Sequence, residues 1–219
     1  MAEELRELRN ENAELKEEKL RNSLMEEELR RLEDLYKLDQ EYPEYEKVAA
    51  EVVSKDPGNW YSRFIVNKGK SDGIEVDMNV LANGALYGIV TEVGPNWCAI
   101  RTIIDDESNI SAMTSSTSDV CTVTGSLLDF NQGTIRFYGL KDENDKIIEG
   151  ERIITSNISE KFLPGITVGY VSLITRDANN LTKSGRIVPA ADFSSVREVL
   201  IVLSVKEEVG EEEEEVTEE

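Results

Sequence analysis

Histidine is missing altogether from the 219 residues. Without an imidazole neither a Ser-His-Asp nor a Cys-His nucleophile can be assembled, and zinc sites built on histidine are excluded too. Cysteine occurs twice, at Cys98 and Cys121. Each stands in an apolar, strand-like run, "NWCAIRTII" and "DVCTVTG", where a thiol serves as a small hydrophobe. A disulfide between them is also compatible with the composition, because sequence does not set their separation. No run of about eighteen apolar residues occurs, so no membrane-spanning helix is expected within the chain. The start "MAEELREL" is charged at once and does not read as a secretory signal.

Positive charge is scarce: 24 Lys and Arg stand against 45 Asp and Glu, a net −21. Such a surface repels nucleic-acid phosphates and anionic headgroups, and no basic cluster relieves it. Much of the excess lies in residues 207–219, "EEVGEEEEEVTEE", which read as a disordered, solubilising tail.

Glycine is absent from the first 47 residues, and Pro43 is the sole proline there. What remains is Glu, Leu, Arg and Lys, strong helix formers. Leu5, Leu8, Asn12 and Leu15 follow a three-four-three spacing, and Met25, Leu29, Leu32 and Tyr36 a four-three-four spacing. These are coiled-coil seams, the first with Asn12 at an a position. The ten-residue step from Leu15 to Met25 is a heptad plus three, so a stammer or break is expected near Lys19–Asn22. A helix with so narrow an apolar stripe needs a partner. It either packs on its own domain or pairs with a second copy. The narrow stripe and the self-sufficient domain that follows favour a parallel dimer over residues 1–46.

Everything after Val48 reads as short strands between turn signals, a barrel or sandwich pattern. The runs include "KVAAEVVSK", "LYGIVTEVG", "GTIRFYG", "ITVGYVSLIT" and "REVLIVLSV". "GIEVDMNVL…GALYGIVTEV…AIRTIID" and "KIIEGERII…FLPGITVGYVSLI…GRIVPAAD" match in order and character, one unit used twice. The expectation is a mainly β chain: the helix, a first β-barrel at 47–125, a second at 126–206, and the tail.

"FLPGITVG" offers glycines, yet the segment runs on as a strand with no helix to face an anion, which favours a barrel corner over a phosphate loop. Gly165 reads as a turn residue after Pro164, and Gly88 and Gly169 as barrel corners. The Ser-rich "SAMTSSTSD" between two barrels invites comparison with double-barrel serine proteases, but no histidine base and no Ser-x-x-Lys pair accompany it. Paired carboxylates such as Asp105–Asp106 match no glycosidase or metal pattern. No cofactor or metal is expected.

The order of parts resembles a known family. "ENAEL" in the helix, then "W…FIVNKGKSDGIEVDMNVLANGALYGIVTEVGPNWCAIRTIID" and "IITSNISEKFLPGITVGYV", resemble the extracytoplasmic region of the MreC family of bacterial rod-shape-determining proteins. The most specific pieces are Trp60, Gly69, Gly73 and Gly88, then Pro164-Gly165, Val168-Gly169 and Val171. One departure is the bulky "SNISEK", Ser156 to Lys161, where the family often carries a Gly-rich "SGxGG". The resemblance implies a dimeric, non-enzymatic scaffold anchored by a single membrane helix ahead of Met1, on the extracytoplasmic face. It also implies partners: a class B penicillin-binding transpeptidase, MreD, MreB and RodA. Two other readings stay open on residues alone: a double-barrel serine hydrolase, which the missing histidine disfavours, and a soluble coiled-coil adaptor. Exposed strand edges and loops of the barrels are the expected docking elements.

Overall fold

An uninterrupted run of good helix formers, ended by Tyr42-Pro43, becomes one α-helix, α1, Ala2–Glu41. The computed structural model describes residues 2–55, 62–142, 145–178 and 181–206, with backbone alone at 2–11, 34–35, 37–39, 41 and 55. The helix is 40 residues long, about 60 Å at 1.5 Å per residue. It runs through Lys19–Asn22 without the expected break. The apolar register changes there, but no Gly or Pro interrupts the hydrogen-bonded backbone. Leu8, Leu15, Asn22, Leu29 and Tyr36 keep a strict seven-residue spacing across the change, so only the flanking column switches sides.

Beyond the helix the described residues form twelve strands. β1 (Lys47–Lys55), β2 (Arg63–Val66), β3 (Asn79–Ala82), β4 (Ala85–Val93), β5 (Cys98–Thr102) and β12 (Glu198–Val202) close barrel A, in neighbour order β1-β12-β3-β4-β5-β2. β6 (Asn109–Thr114), β7 (Val120–Thr124), β8 (Ile135–Leu140), β9 (Arg152–Thr155), β10 (Thr167–Arg176) and β11 (Lys183–Pro189) close barrel B, in order β10-β11-β8-β7-β6-β9. A short α-helix, α2 (Leu127–Phe130), is capped by the Ser126 hydroxyl, which accepts the Asp129 amide.

The strand pairing draws the boundary elsewhere than residue 125. β6 and β7 belong to barrel B, and the last strand, β12, returns to barrel A between β1 and β3. Barrel B is therefore nested within barrel A. The internal repeat explains the pattern. β12 joins β1 to β3 as β6 joins β7 to β9, and β2 pairs with β1 and β5 as β8 pairs with β7 and β11. Each repeat is a six-strand unit, β1–β6 and β7–β12, whose sixth strand sits in the other barrel.

Alternating side chains fill each barrel. Val66, Val80, Ile100, Val199 and Ile201 are fully buried in barrel A, and Ile110, Val123, Ile135, Ile153 and Ile187 in barrel B. β4 departs from the alternation: its first six residues are all buried. One face of "ALYGIV" points into barrel A, and β4 also packs against β10 of barrel B.

Candidate interaction surfaces

Among the described residues no cluster of Cys, Asp or Glu is placed to hold a metal. Cys98 lies on β5 of barrel A and Cys121 on β7 of barrel B, and both are free and buried. The disulfide that composition allowed is therefore not formed. Burial pushes both thiols up to about 12, with Asp72 adding to the effect at Cys98. The Ser-rich loop is a hydrogen-bonded turn between β6 and β7. Thr114 and Thr117 share a hydroxyl bond of 2.8 Å, Thr117 donates to Asp119 at 2.5 Å, and the Ser116 amide donates to Glu151 at 3.0 Å.

The Pro164-Gly165 turn occupies the junction of the two barrels. Gly165 adopts φ 83°, a conformation L-residues disfavour, and no atom crowds its missing Cβ. The carbonyl of the neighbouring Pro164 accepts the Tyr45 hydroxyl at 3.1 Å. Tyr42, directly after α1 and 6% exposed, donates its hydroxyl to the Gly84 carbonyl of barrel A. The same oxygen accepts the Thr167 amide of barrel B. Asn79 on β3 is fully buried; its side chain accepts the Leu163 amide at 2.8 Å and donates to the Lys161 carbonyl at 3.0 Å. Lys161 pairs with Asp77 at 3.1 Å. The segment "SNISEKFLPG" is thus built against barrel A.

Gly88 and Gly169 occupy matching places on β4 and β10. A Cβ would stand 2.2 Å from the Arg101 carbonyl oxygen at Gly88 and 2.3 Å from that of Val188 at Gly169. Gly69 allows a similar approach to the 94–97 turn, and Gly73 ends the 3-10 turn Lys70–Asp72. Trp60 and the "DPGN" turn lie outside the described residues, as does the acidic tail.

Among the described residues, exposed apolar side chains line up along two elements. The first is the helix stripe: Leu15, Met25, Leu29, Leu32 and Tyr36 are between 55% and 66% exposed, and Asn12 is exposed beside them. The side chains of Leu5 and Leu8 lie outside the described residues. Among the described side chains the helix meets its own barrel through an Arg31–Glu198 ion pair of 2.8 Å, and the stripe residues Leu15, Met25, Leu29, Leu32 and Tyr36 stay exposed.

The second surface is the outer face of the β10–β11 hairpin. Tyr170 stands directly opposite Val188, both 45% exposed, and Leu173 opposite Arg186 is 44% exposed. Strict alternation from Tyr170 would turn Leu173 inward. A register shift between Val171 and Leu173 re-aims it outward. Gly185 permits that bulge, since a Cβ there would meet the Leu173 carbonyl oxygen at 1.9 Å. Sequence alternation therefore missed Leu173; Gly185 in the facing strand was the available signal. Because both sheets close on themselves, the described strands leave neither barrel an open lateral edge of the kind expected for docking.

The Rod shape-determining protein MreC barrel-core model matches residues 52–203. The cell shape-determining protein MreC of Listeria monocytogenes is 27% identical over 204 residues, 91% of this chain and 64% of the relative. The chain thus spans less than two thirds of that relative's length. A solved MreC structure superposes with a TM-score of 0.72 at 25% identity, covering 81% of this chain and 98% of that one. A chain from the complex between Penicillin-Binding Protein (PBP2) and MreC from Helicobacter pylori shares the fold with a TM-score of 0.56, at 15% identity over 72% of this chain and 98% of that one.

Proposed function

The chain belongs to the MreC family of rod shape-determining proteins, and on that footing we propose that it is a non-catalytic scaffold of bacterial cell-wall elongation. Its bare helix stripe pairs with a second copy, and its barrels dock a penicillin-binding transpeptidase. The observation that carries the docking reading is the outward Tyr170–Val188–Leu173 face, an apolar patch on an otherwise acidic protein. Apolar side chains held on a rigid barrel can bind without ordering a loop first. A family member captured with PBP2 supports the choice of partner. MreD, MreB and RodA are further partners by family resemblance. The scaffold works at the extracytoplasmic face of the membrane. Among the described residues no helix is long and apolar enough to cross a membrane; anchoring by a single membrane helix is proposed on family resemblance alone.

Calorimetric titration with the extracytoplasmic part of the same organism's class B transpeptidase tests this. Saturable binding is expected, weakened at least tenfold by Leu173→Asp or Tyr170→Asp. Binding untouched by either change moves the surface elsewhere on the barrels. No binding by the dimeric protein refutes direct docking.

A further inference from the structure

Tyr42 belongs to neither barrel. It follows the last residue of α1, yet its ring is buried and its hydroxyl joins the β3–β4 turn of barrel A to the first residue of β10 in barrel B. Asn79, wholly buried on β3, uses both ends of its amide, binding the Leu163 amide and the Lys161 carbonyl of barrel B. Tyr45 and the Lys161–Asp77 pair complete the rim. Lys47 donates back to the Tyr42 carbonyl at 2.5 Å, fixing the short segment that carries both tyrosines.

We infer that Tyr42 and Asn79 form a latch that locks barrel B to barrel A and makes the angle between the barrels depend on the seat of the helix. Hydrogen bonds have strict directions, so this set selects one inter-barrel angle where apolar contact alone would accept several. Because the hydroxyl is carried on the residue next to α1, tilting the helix withdraws it. An orientation imposed on the helix by dimerisation therefore reaches the outer face of barrel B. The latch stands on these contacts and holds whichever partner the barrels bind. A division of the chain at residue 46 would cut it away, since Tyr42 and Tyr45 serve the barrels as much as the helix.

Electron-spin distance measurement on the full chain tests the latch. Spin labels at Glu92→Cys, at the far end of β4, and Ser116→Cys, in the distal loop of barrel B, report the angle; buried Cys98 and Cys121 stay unlabelled. One narrow distance is expected for the otherwise native chain. Tyr42→Phe with Asn79→Ala should broaden or shift it by several ångströms. A broad distribution in the native chain, or an unchanged narrow one in the double variant, overturns the inference. Should that variant fail to fold, Tyr45→Phe with Lys161→Ala decides: rim loss should broaden the distribution to a lesser degree, and no change refutes the latch.

Discussion

Adding one methyl group at Gly169 should harm this protein far more than adding it at Gly165, four residues earlier. At Gly169 the new Cβ would lie 2.3 Å from the Val188 carbonyl oxygen and 2.6 Å from the Ile187 Cγ2. A relaxed carbon–oxygen contact is about 3.3 Å or more, so something must yield by about 1 Å. The obstructing oxygen is backbone in the paired strand β11 and has no rotamer to change. Overpacking costs about 1–3 kcal/mol, and a backbone obstacle places Gly169→Ala near the upper end. At Gly165 nothing lies within 4 Å of the Cβ position, and only φ 83° is unfavourable, a cost of about 1 kcal/mol. With roughly 2–4 °C per kcal/mol for a chain of this size, Gly169→Ala should lower Tm by about 6–12 °C and Gly165→Ala by about 2–4 °C. Gly88→Ala should behave as Gly169→Ala does, because the Arg101 carbonyl stands in the same relation to it. Thermal unfolding followed by circular dichroism measures all three. Equal effects at positions 165 and 169, or a neutral Gly169→Ala, would refute the close-approach argument.

Other expectations follow from the same geometry. Leu15→Asp or Leu29→Asp should weaken dimerisation by about 100-fold or more, since each helix loses roughly a buried leucine's worth of packing; sedimentation should show monomers with unchanged barrel melting, and an unaltered oligomer contradicts the paired helix. Burial alone would raise the Asp142 carboxyl, but the bond from Lys183 at 2.7 Å and the amides of Lys146 and Ile147 hold it below its usual range. A lowered folded pKa stabilises above the unfolded value and is lost as pH falls through the folded one. Because Lys183 keeps its ion pair with Asp145 at 2.5 Å, Asp142→Asn should destabilise by only about 1–2 kcal/mol at pH 7, and a denaturation series should show the difference shrinking below about pH 4; a gap independent of pH refutes the pairing. Neither thiol should react with a disulfide reagent in the native protein, because both are buried and pushed up to about 12; rapid modification before unfolding contradicts their placement.

Local signals account for most of the strands. Each apolar, turn-bounded run became one, because alternation and turn chemistry act over a few residues. The twofold use of one unit was also visible, since matching strands such as β4 and β10 carry the same Gly-x-Val pattern. The placement of β12 was not, because nothing in "REVLIVLSV" says which distant strand it joins. Leu173 escaped for a different reason: a bulge inverts the alternation that reveals faces elsewhere. Tyr42 and Asn79 were hidden because their partners lie up to 125 residues away. Tyr42 reads locally as the end of a helix, and Asn79 as one polar residue in a strand.

The crossed placement of β6 and β12 sets the order in which the molecule can be completed. Barrel B draws all its strands from one continuous stretch, Asn109–Pro189, and can close as soon as that stretch is available. Barrel A starts first but must hold β1 and β3 apart until Glu198–Val202 arrives to pair with both. The closing contact joins Lys47 to Val202, among the longest loops the chain has to close and so among the slowest steps. Until then two unsatisfied strand edges face each other across the gap. The barrel that carries the helix is thus the last part finished, and losing the final strand would leave it open however well barrel B had folded.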